Sequence, residues 1–176
     1  MYVDERTFMN HAGVLTDAFD RIKGVVHDTL DDIAPAALTY RVDSEANTVA
    51  WLIWHLTRVQ DDHVAGVAGS EQVWTSDGWN DRFGLPFEDG AIGYGQSADD
   101  VAAVTSGADL LRDYYDAVHA RTVAYVESLA AEDLDRVVDE NWSPPVTLGV
   151  RLISVVSDDL QHAGQAAYVR GVFERT

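Results

Sequence analysis

Three polar residues in two helical segments have the types and spacing of a divalent-metal site. Asp158 and His162 stand four residues apart in a segment with helical periodicity, so they lie one turn apart on one side of a helix. His55 lies at the edge of the apolar face of an earlier helical segment. If the two helices are neighbours, one carboxylate and two imidazoles can hold one ion. Three protein ligands leave a position open for water or substrate, as in catalytic metal sites.

The same spacing also has simpler explanations. An aspartate four residues before a histidine is common on helix surfaces, where the two side chains form a weak ion pair. His55 can be a histidine at the edge of the core that is hydrogen-bonded to Asp62. Two other residues compete for the ligand positions: His63, which is closer to the centre of its apolar face, and Asp159, three residues before His162.

Two polar residues near these candidates can orient the metal ligands through hydrogen bonds. Gln165 lies on the same side of its helix as Asp158 and His162, where its amide can orient a histidine or a bound water. Asp62 can accept the free ring N–H of His55, which would fix the tautomer of that ring.

Residues in the connections are candidates for a substrate pocket. Arg82 can hold a carboxylate or another polar group of a small molecule, although an ion pair with Asp81 or Asp77 is the simpler prediction. Trp79 and Trp142 can wall a pocket or simply pack within their own loops.

Four long helical patterns must position these residues. The patterns run from about Arg6 to Ile33, from about Asn47 to Ala68, from Ala108 to Leu129, and from a cap at Thr147 to about Phe173. The segment 70–96 is rich in aromatic residues and glycine, which indicates an ordered loop packed over one end of the helices. A capping box at Ser97–Asp100 then begins a short helix. Because we find no strand alternation, we expect one all-α domain over residues 1–176: a four-helix bundle with a long loop between its second and third helices.

The helical patterns also predict which faces of two helices are buried. The buried face of the last helix is predicted to include Leu152, Leu160 and Ala163. Trp54 is predicted to lie away from the main apolar face of its helix, against another helix or a partner subunit. The second alternative would give a homodimer through helix faces.

Composition excludes several classes of function. The 176 residues carry 12 basic and 30 acidic side chains, a net charge of −18, which disfavours nucleic acids and anionic membranes as partners. Since the chain has no cysteine, it has no thiol nucleophile of its own, no sulfur ligand and no disulfide. No apolar run reaches membrane-spanning length, and the start, Met1–Arg6, lacks the features of a signal peptide. We therefore expect a cytoplasmic protein.

Two segments resemble the signature helices of the DinB-like superfamily. They are Asn47–Leu56 and Asp158–Gln165, and the latter ends in a His-x-Gly-Gln motif at His162–Gln165. The resemblance covers essentially the whole chain in the same helix order, and it is nearest to the actinobacterial mycothiol-dependent S-transferases and maleylpyruvate isomerases. It implies a four-helix bundle with a divalent metal, frequently zinc, held by three side chains at one end. The thiol-transferase members of this superfamily use that metal to bind and activate the thiol of a small cofactor.

The resemblance assigns ligands residue by residue. His55 is the histidine of the second helix, while Asp158 and His162 occupy the positions of a pair that is often His-x-x-x-His. An aspartate in place of the first histidine widens the choice of ion from zinc towards iron, manganese or nickel, because oxygen is a harder donor. The resemblance thus implies a metal-dependent S-transferase with mycothiol as co-substrate and a small electrophile as the second substrate. A chain without cysteine fits, since the thiol then arrives from outside.

Two other functions stay open on the sequence alone. The protein can be a non-catalytic ligand-binding or stress-response module in which the metal site is structural or vestigial. It can also be a metal-dependent hydrolase that uses a bound water instead of a thiol.

Overall fold

Four long helices carry most of the core in the computed structural model, which describes residues 9–176. They span His11–Leu30 (α1), Val49–Ala68 (α3), Ala108–Glu127 (α7) and Leu148–Phe173 (α8). The helix α3 packs against α7 and α8, and α1 packs against the same two helices. Apolar side chains from all four fill the space between them: Phe19, Ile22, Leu52, Leu56, Leu111, Val118, Leu152 and Val155. The predicted all-α class is confirmed.

Short elements connect the long helices. The short helices span Pro35–Leu38 (α2), Val73–Ser76 (α4), Trp79–Phe83 (α5) and Ala98–Ala103 (α6). A 3₁₀ turn at Ala131–Asp135 leads into two antiparallel strands, Val137–Asp139 (β1) and Val146–Thr147 (β2). None of the described helices is both long and apolar enough to cross a bilayer.

The ends of the helices follow local capping chemistry. Asn10 caps α1 by accepting from the Gly13 amide, and the side chain of Thr48 accepts from the Trp51 amide at the start of α3. The predicted capping box at Ser97 and Asp100 is present at the start of α6. The predicted start of the first helix near Arg6 lies outside the described residues.

Trp54 does not lie at a surface for a partner subunit, so that alternative was wrong for this residue. It is almost fully buried, with its ring beside the rings of Trp74 and Phe87. Both neighbours belong to the segment between α3 and α6, which folds back over α3 and buries its outer side. This explains why α3 is buried almost all round, polar residues such as Arg58 and Asp61 included.

Two predictions for the C-terminal part were wrong. The strands β1 and β2 were not predicted, because strands of three and two residues are too short to show an alternating pattern. Leu160 is half exposed, whereas Asp159 lies fully buried on the inner face of α8. Leu152 and Ala163 are buried as predicted. Because apolar residues of α8 lie on both its inner and its outer side, hydrophobic periodicity alone wrongly added Leu160 to the buried face.

Candidate metal centre

The packing of α3 against α8 brings His55, Asp158 and His162 together. One nitrogen from each histidine and one carboxylate oxygen lie within 4.8 Å of one another. His55 comes from the middle of α3 and is buried, while the two residues of α8 are partly exposed. The group therefore has one side in the core and one side open.

The hydrogen bonds of both imidazoles leave the same nitrogen free. His55 Nδ1 bonds to the carbonyl oxygen of Ile92, and His162 Nδ1 lies 2.9 Å from Oε1 of Gln165. Because each partner is an oxygen acceptor, each Nδ1 carries the proton and each Nε2 keeps its lone pair. His162 Nε2 lies 3.8 Å from Oδ1 of Asp158.

The carboxylate of Asp158 also has an oxygen atom without a hydrogen-bond partner among the described residues. This atom is Oδ2, and it is buried. Leaving a buried carboxylate oxygen unpaired is unfavourable, so such an atom points to a ligand that completes its contacts.

Burial lowers the pKa of His55, and the neighbouring His162 lowers it further, against the raising effects of Ile92 and Asp158. His55 is therefore a neutral imidazole at pH 7, the form that binds a metal. These donors fit a divalent ion.

Residues of α3 and of the segment between α3 and α6 hold the ring of His55 from several sides. Trp51 stacks on it with ring centroids 4.6 Å apart, and Tyr94 meets it edge-on at 5.3 Å. The indole N–H of Trp51 donates to Gln96 Oε1 at 2.7 Å, which ties the stacked ring to the same segment. Gly93 has a φ of +105°, and a Cβ atom there would clash with His55 Nδ1. Only glycine lets the backbone approach the imidazole this closely.

A buried arginine fixes the path of that segment. Arg58 donates to the carbonyl oxygens of Asp89 and Ala91 at 3.0 and 3.1 Å, and to Gln72 Oε1 at 2.8 Å. It is fully buried one turn after His55 on α3. Arg58 therefore sets the position of the residues that contact His55.

An open cleft lies beside Asp158. It has a volume of about 600 Å³, and its aromatic walls come from Tyr94 and Trp142, with Val59 and Val146 adding apolar surface. Polar atoms come from another set of lining residues: His63, Asp139, Arg151 and Ser154. Arg151 donates to Asp139 Oδ2 at 3.0 Å and lies 3.3 Å from His63 Nδ1. The cleft thus joins an apolar wall to Asp158, the one member of the three-residue group that lines it.

A family model described as mycothiol-S-transferase matches residues 14–174, a range that contains the whole three-residue group. The chain belongs to this mycothiol-S-transferase family. A crystal structure of a conserved protein from Enterococcus faecalis is 31% identical, with a TM-score of 0.86, and the match covers 92% of this chain and 96% of that one. No curated protein matches the sequence.

Family membership confirms the predicted DinB-like resemblance. At the level of the family, it indicates a transferase that uses a metal and mycothiol. The three residues to which the resemblance assigned the ion are the same three that the fold brings together.

The two rival ligands lie apart from the group. His63 contacts Arg151 and lies 3.6 Å from Asp62, on the cleft side of α3. Asp159 points into the core, where neither carboxylate oxygen has a partner among the described residues. Burial raises the pKa of Asp159 well above its ordinary value, and the adjacent Asp158 adds to that rise.

The predicted contact between Asp62 and His55 is not formed. The backbone of Ile92 already occupies the Nδ1 side of His55, and Asp62 accepts instead from Gln72 Nε2 at 2.8 Å. Gln165 does contact His162, as described above. Of the two polar residues considered as supports, only Gln165 touches a member of the group.

The residues predicted to line a substrate pocket lie in different places. Trp142 is 66% exposed and lines the cleft, whereas Trp79 is buried beside Tyr114. Arg82 stacks on Trp79 at 3.7 Å and lies 4.0 Å from Asp113, so neither Asp81 nor Asp77 is its partner. Neither Trp79 nor Arg82 lines the cleft beside Asp158, and the arginine found there is Arg151.

Three consecutive residues that contact His55 in this mycothiol-S-transferase family member were not predicted from the sequence: Ile92, Gly93 and Tyr94. The only signal was the Gly-Tyr-Gly run at 93–95, which marks a turn with unusual backbone geometry. Such a run shows that the chain bends, but not which side chain it bends towards.

Proposed function

We propose that this protein is a divalent-metal-dependent S-transferase that activates a low-molecular-weight thiol, mycothiol, for attack on a small electrophile. One observation carries the proposal. The unpartnered Oδ2 of Asp158 lies in a group with two imidazoles whose Nε2 atoms are free. Membership of the mycothiol-S-transferase family supports the choice of thiol.

His55, Asp158 and His162 would hold the ion. When bound there, a divalent cation would bind the thiol sulfur and lower its pKa, so that thiolate is available at neutral pH. The three residues provide one negative charge and two neutral rings, and they therefore leave part of a dication's charge uncompensated. Zinc is the first choice of ion, and the aspartate oxygen also suits iron, manganese or nickel.

The surrounding residues keep the ligand atoms in place. Ile92 and Gln165 fix the tautomers of His55 and His162, so that both rings present Nε2 to the same point. The stacked Trp51 and the close backbone at Gly93 prevent the His55 ring from turning. This positioning costs no reorganisation when the ligands are needed.

The open cleft is the place for the electrophile. Tyr94 and Trp142 give it an apolar wall, and Asp158 joins it to the metal ligands. Arg151 already forms an ion pair with Asp139, so its charge is partly compensated. We therefore expect substrates with an apolar body and a small reactive group, such as a halide, an epoxide or an activated alkene.

The proposal extends to the architecture and the location of the protein. We take the four long helices as one four-helix bundle and residues 1–176 as one domain, because each long helix packs against two of the others. A cytoplasmic location suits an enzyme that uses a small cellular thiol.

A conjugation assay tests the proposal. Mycothiol is incubated with a panel of halides, epoxides and activated alkenes, and product is measured by mass spectrometry for the wild type, His162→Ala and His27→Ala. We expect His162→Ala to slow conjugation by on the order of 100-fold or more, because a bound metal supplies several kcal/mol of stabilisation. The control His27→Ala, on α1 and outside both the ligand group and the cleft, should keep most of the activity. Equal rates for the wild type and His162→Ala, or hydrolysis of substrate without thiol, would contradict the assignment.

A further inference from the structure

Tyr94 has a large aromatic side chain that stays exposed although the backbone around it is firmly held. The side chain is 62% exposed. Before it in the chain, the carbonyl of Ile92 bonds to His55, and after it, the side chain of Gln96 accepts from the indole of Trp51. An aromatic ring that is fixed in place but not buried adds little to stability, so its position calls for a functional explanation.

The side chain of Tyr94 connects the candidate metal centre to the cleft. Its ring meets the His55 ring edge-on, with centroids 5.3 Å apart, and it lines the cleft together with Asp158. Its hydroxyl makes no hydrogen bond to the described residues, and the charges of Asp158 and Arg151, both in the cleft wall, act on it. The hydroxyl is therefore available to a molecule bound beside the metal ligands.

The other polar side chains of the cleft already have partners. Arg151 donates to Asp139 and contacts His63, while the hydroxyl of Ser154 donates to a carbonyl of its own helix. The tryptophan of the cleft has an indole N–H, which donates hydrogen bonds but does not give up its proton. Among the cleft residues that the structure describes, Tyr94 thus carries the unpaired O–H that can transfer a proton.

We propose that Tyr94 is a proton donor to the electrophile, and that its hydroxyl protonates the oxygen released when an epoxide ring is opened. This inference rests on the proposed function, since it concerns the second substrate of that reaction. The thiolate sulfur forms a bond to one epoxide carbon, the C–O bond of that carbon breaks, and the oxygen keeps the electron pair. The oxygen takes the proton of Tyr94, and water returns a proton to the phenolate.

The protonation state of Tyr94 suits this role. Burial raises the pKa of Tyr94, and the nearby carboxylates of Asp158 and Asp159 raise it further, so the hydroxyl keeps its proton at pH 7. An alkoxide is a much stronger base than a phenolate, so the proton transfer is favourable. Iodide is a very weak base and leaves without a proton. The tyrosine therefore favours electrophiles whose leaving atom is oxygen.

Two substrates with the same carbon skeleton test the proposal. Styrene oxide and 2-phenylethyl iodide both offer an apolar body to the cleft, but styrene oxide alone releases an alkoxide. We expect Tyr94→Phe to lower kcat/KM for styrene oxide by on the order of 100-fold or more, as for the loss of a general acid, and for the iodide by less than about 3-fold. Tyr168→Phe, which removes the hydroxyl of a similarly exposed tyrosine outside the cleft, should leave both values unchanged.

Product binding provides a readout that does not depend on turnover. The mycothiol conjugate of styrene oxide carries a hydroxyl group that the conjugate of the iodide lacks. Titration calorimetry should show that Tyr94→Phe binds the hydroxylated conjugate about 3–10-fold more weakly than the wild type does, because one hydrogen bond is lost. The affinity for the other conjugate should be the same in both proteins.

The two substrates also separate this role from the alternatives. If Tyr94→Phe loses the same activity with both, the hydroxyl only positions the site, and if it loses activity with neither, the hydroxyl takes no part in the reaction. Either result, or a wild type that conjugates the iodide but not the epoxide, would overturn this inference and leave the S-transferase proposal standing. A wild type that conjugates neither substrate would contradict the proposed function itself, and the role of Tyr94 with it.

Discussion

Two polar clusters lie one turn apart on α3, and they differ in how completely their atoms are paired. In the cluster around Arg58, both oxygens of Asp61 accept hydrogen bonds, from the Val73 and Trp74 amides at 2.9 and 2.8 Å and from the Tyr114 hydroxyl at 2.9 Å. The guanidinium of Arg58 donates from all three of its nitrogens. This cluster is closed.

The cluster around His55 is open. Asp158 Oδ2 has no hydrogen-bond partner among the described residues, and the two imidazoles use only Nδ1 in their hydrogen bonds. A protein interior seldom leaves several polar atoms of one group unpaired. The closed cluster therefore stabilises the fold, whereas the open one keeps unpaired atoms that a ligand could use.

Breaking the closed cluster should have the largest effect on stability. Arg58→Met leaves Asp61 without its nearby guanidinium and the carbonyls of Asp89 and Ala91 without their donor. We expect the free energy of unfolding to fall by about 3–5 kcal/mol, the usual cost of removing one partner of a buried pair. Urea denaturation followed by circular dichroism measures this. His162→Ala in the open cluster should cost less than about 1 kcal/mol. Equal losses of unfolding free energy in the two variants would contradict the proposed difference between the clusters.

Gly93→Ala should disturb both stability and metal binding. The new Cβ would clash with His55 Nδ1 and lie 3.1 Å from Trp51, so the segment must move away from the imidazole. We expect metal affinity to fall by about 10–100-fold, as for other losses of support behind a ligand. Gly95→Ala is the matched control, because Gly95 also has a positive φ but has open space around its Cβ position. If both variants lose the same affinity, backbone strain explains the loss and the contact with His55 does not.

Gln165→Ala should affect metal binding without affecting the fold. The side chain is exposed, and its contact with His162 Nδ1 is its assigned role. Titration calorimetry should show an affinity roughly 10-fold or more below that of the wild type. The urea midpoint should stay unchanged. Gln161→Ala, whose amide bonds only to Ser157 on the same helix, should bind metal normally.

Acid should weaken the metal-free protein in a defined window. Burial lowers the pKa of His55, His63 and His119 below the ordinary value of 6.5. Above pH 6.5, these side chains are neutral in both the folded and the unfolded state. As the pH falls below 6.5, the unfolded chain binds protons first, so the free energy of unfolding decreases until the folded pKa values are passed. The raised pKa of Asp159 has the opposite effect on stability, so the histidine contribution is read from a difference between variants. In urea titrations between pH 8 and 5, His119→Gln should lose less stability on acidification than the wild type. An equal loss in the two proteins would contradict the lowered pKa of His119.

The parts of the site that could be predicted from sequence are those that helices place. Asp158 and His162 share a side of α8 because four residues make about one turn, and helix packing needs only to bring His55 opposite them. Helix positions and caps such as Thr48, Ser97 and Thr147 could likewise be predicted, because capping is local chemistry.

The parts that could not be predicted depend on the path of an irregular segment. Ile92 meets His55 because Arg58 donates to Asp89 and Ala91, and those two contacts join residues more than 30 positions apart in sequence. No local pattern encodes such a contact. The spacing made Asp62 a reasonable partner for His55, but His55 instead bonds to the backbone carbonyl of Ile92, in the distant segment.

Metal content tests the central claim most directly. Untagged wild type, His55→Ala and His63→Ala are purified and their bound metals are measured by elemental mass spectrometry, before and after incubation with zinc, iron, manganese or nickel and removal of free ion. We expect about one divalent ion per chain in the wild type and in His63→Ala, and almost none in His55→Ala. Full occupancy in His55→Ala, or a wild type that takes up none of the four ions, would contradict a metal centre formed by His55, Asp158 and His162.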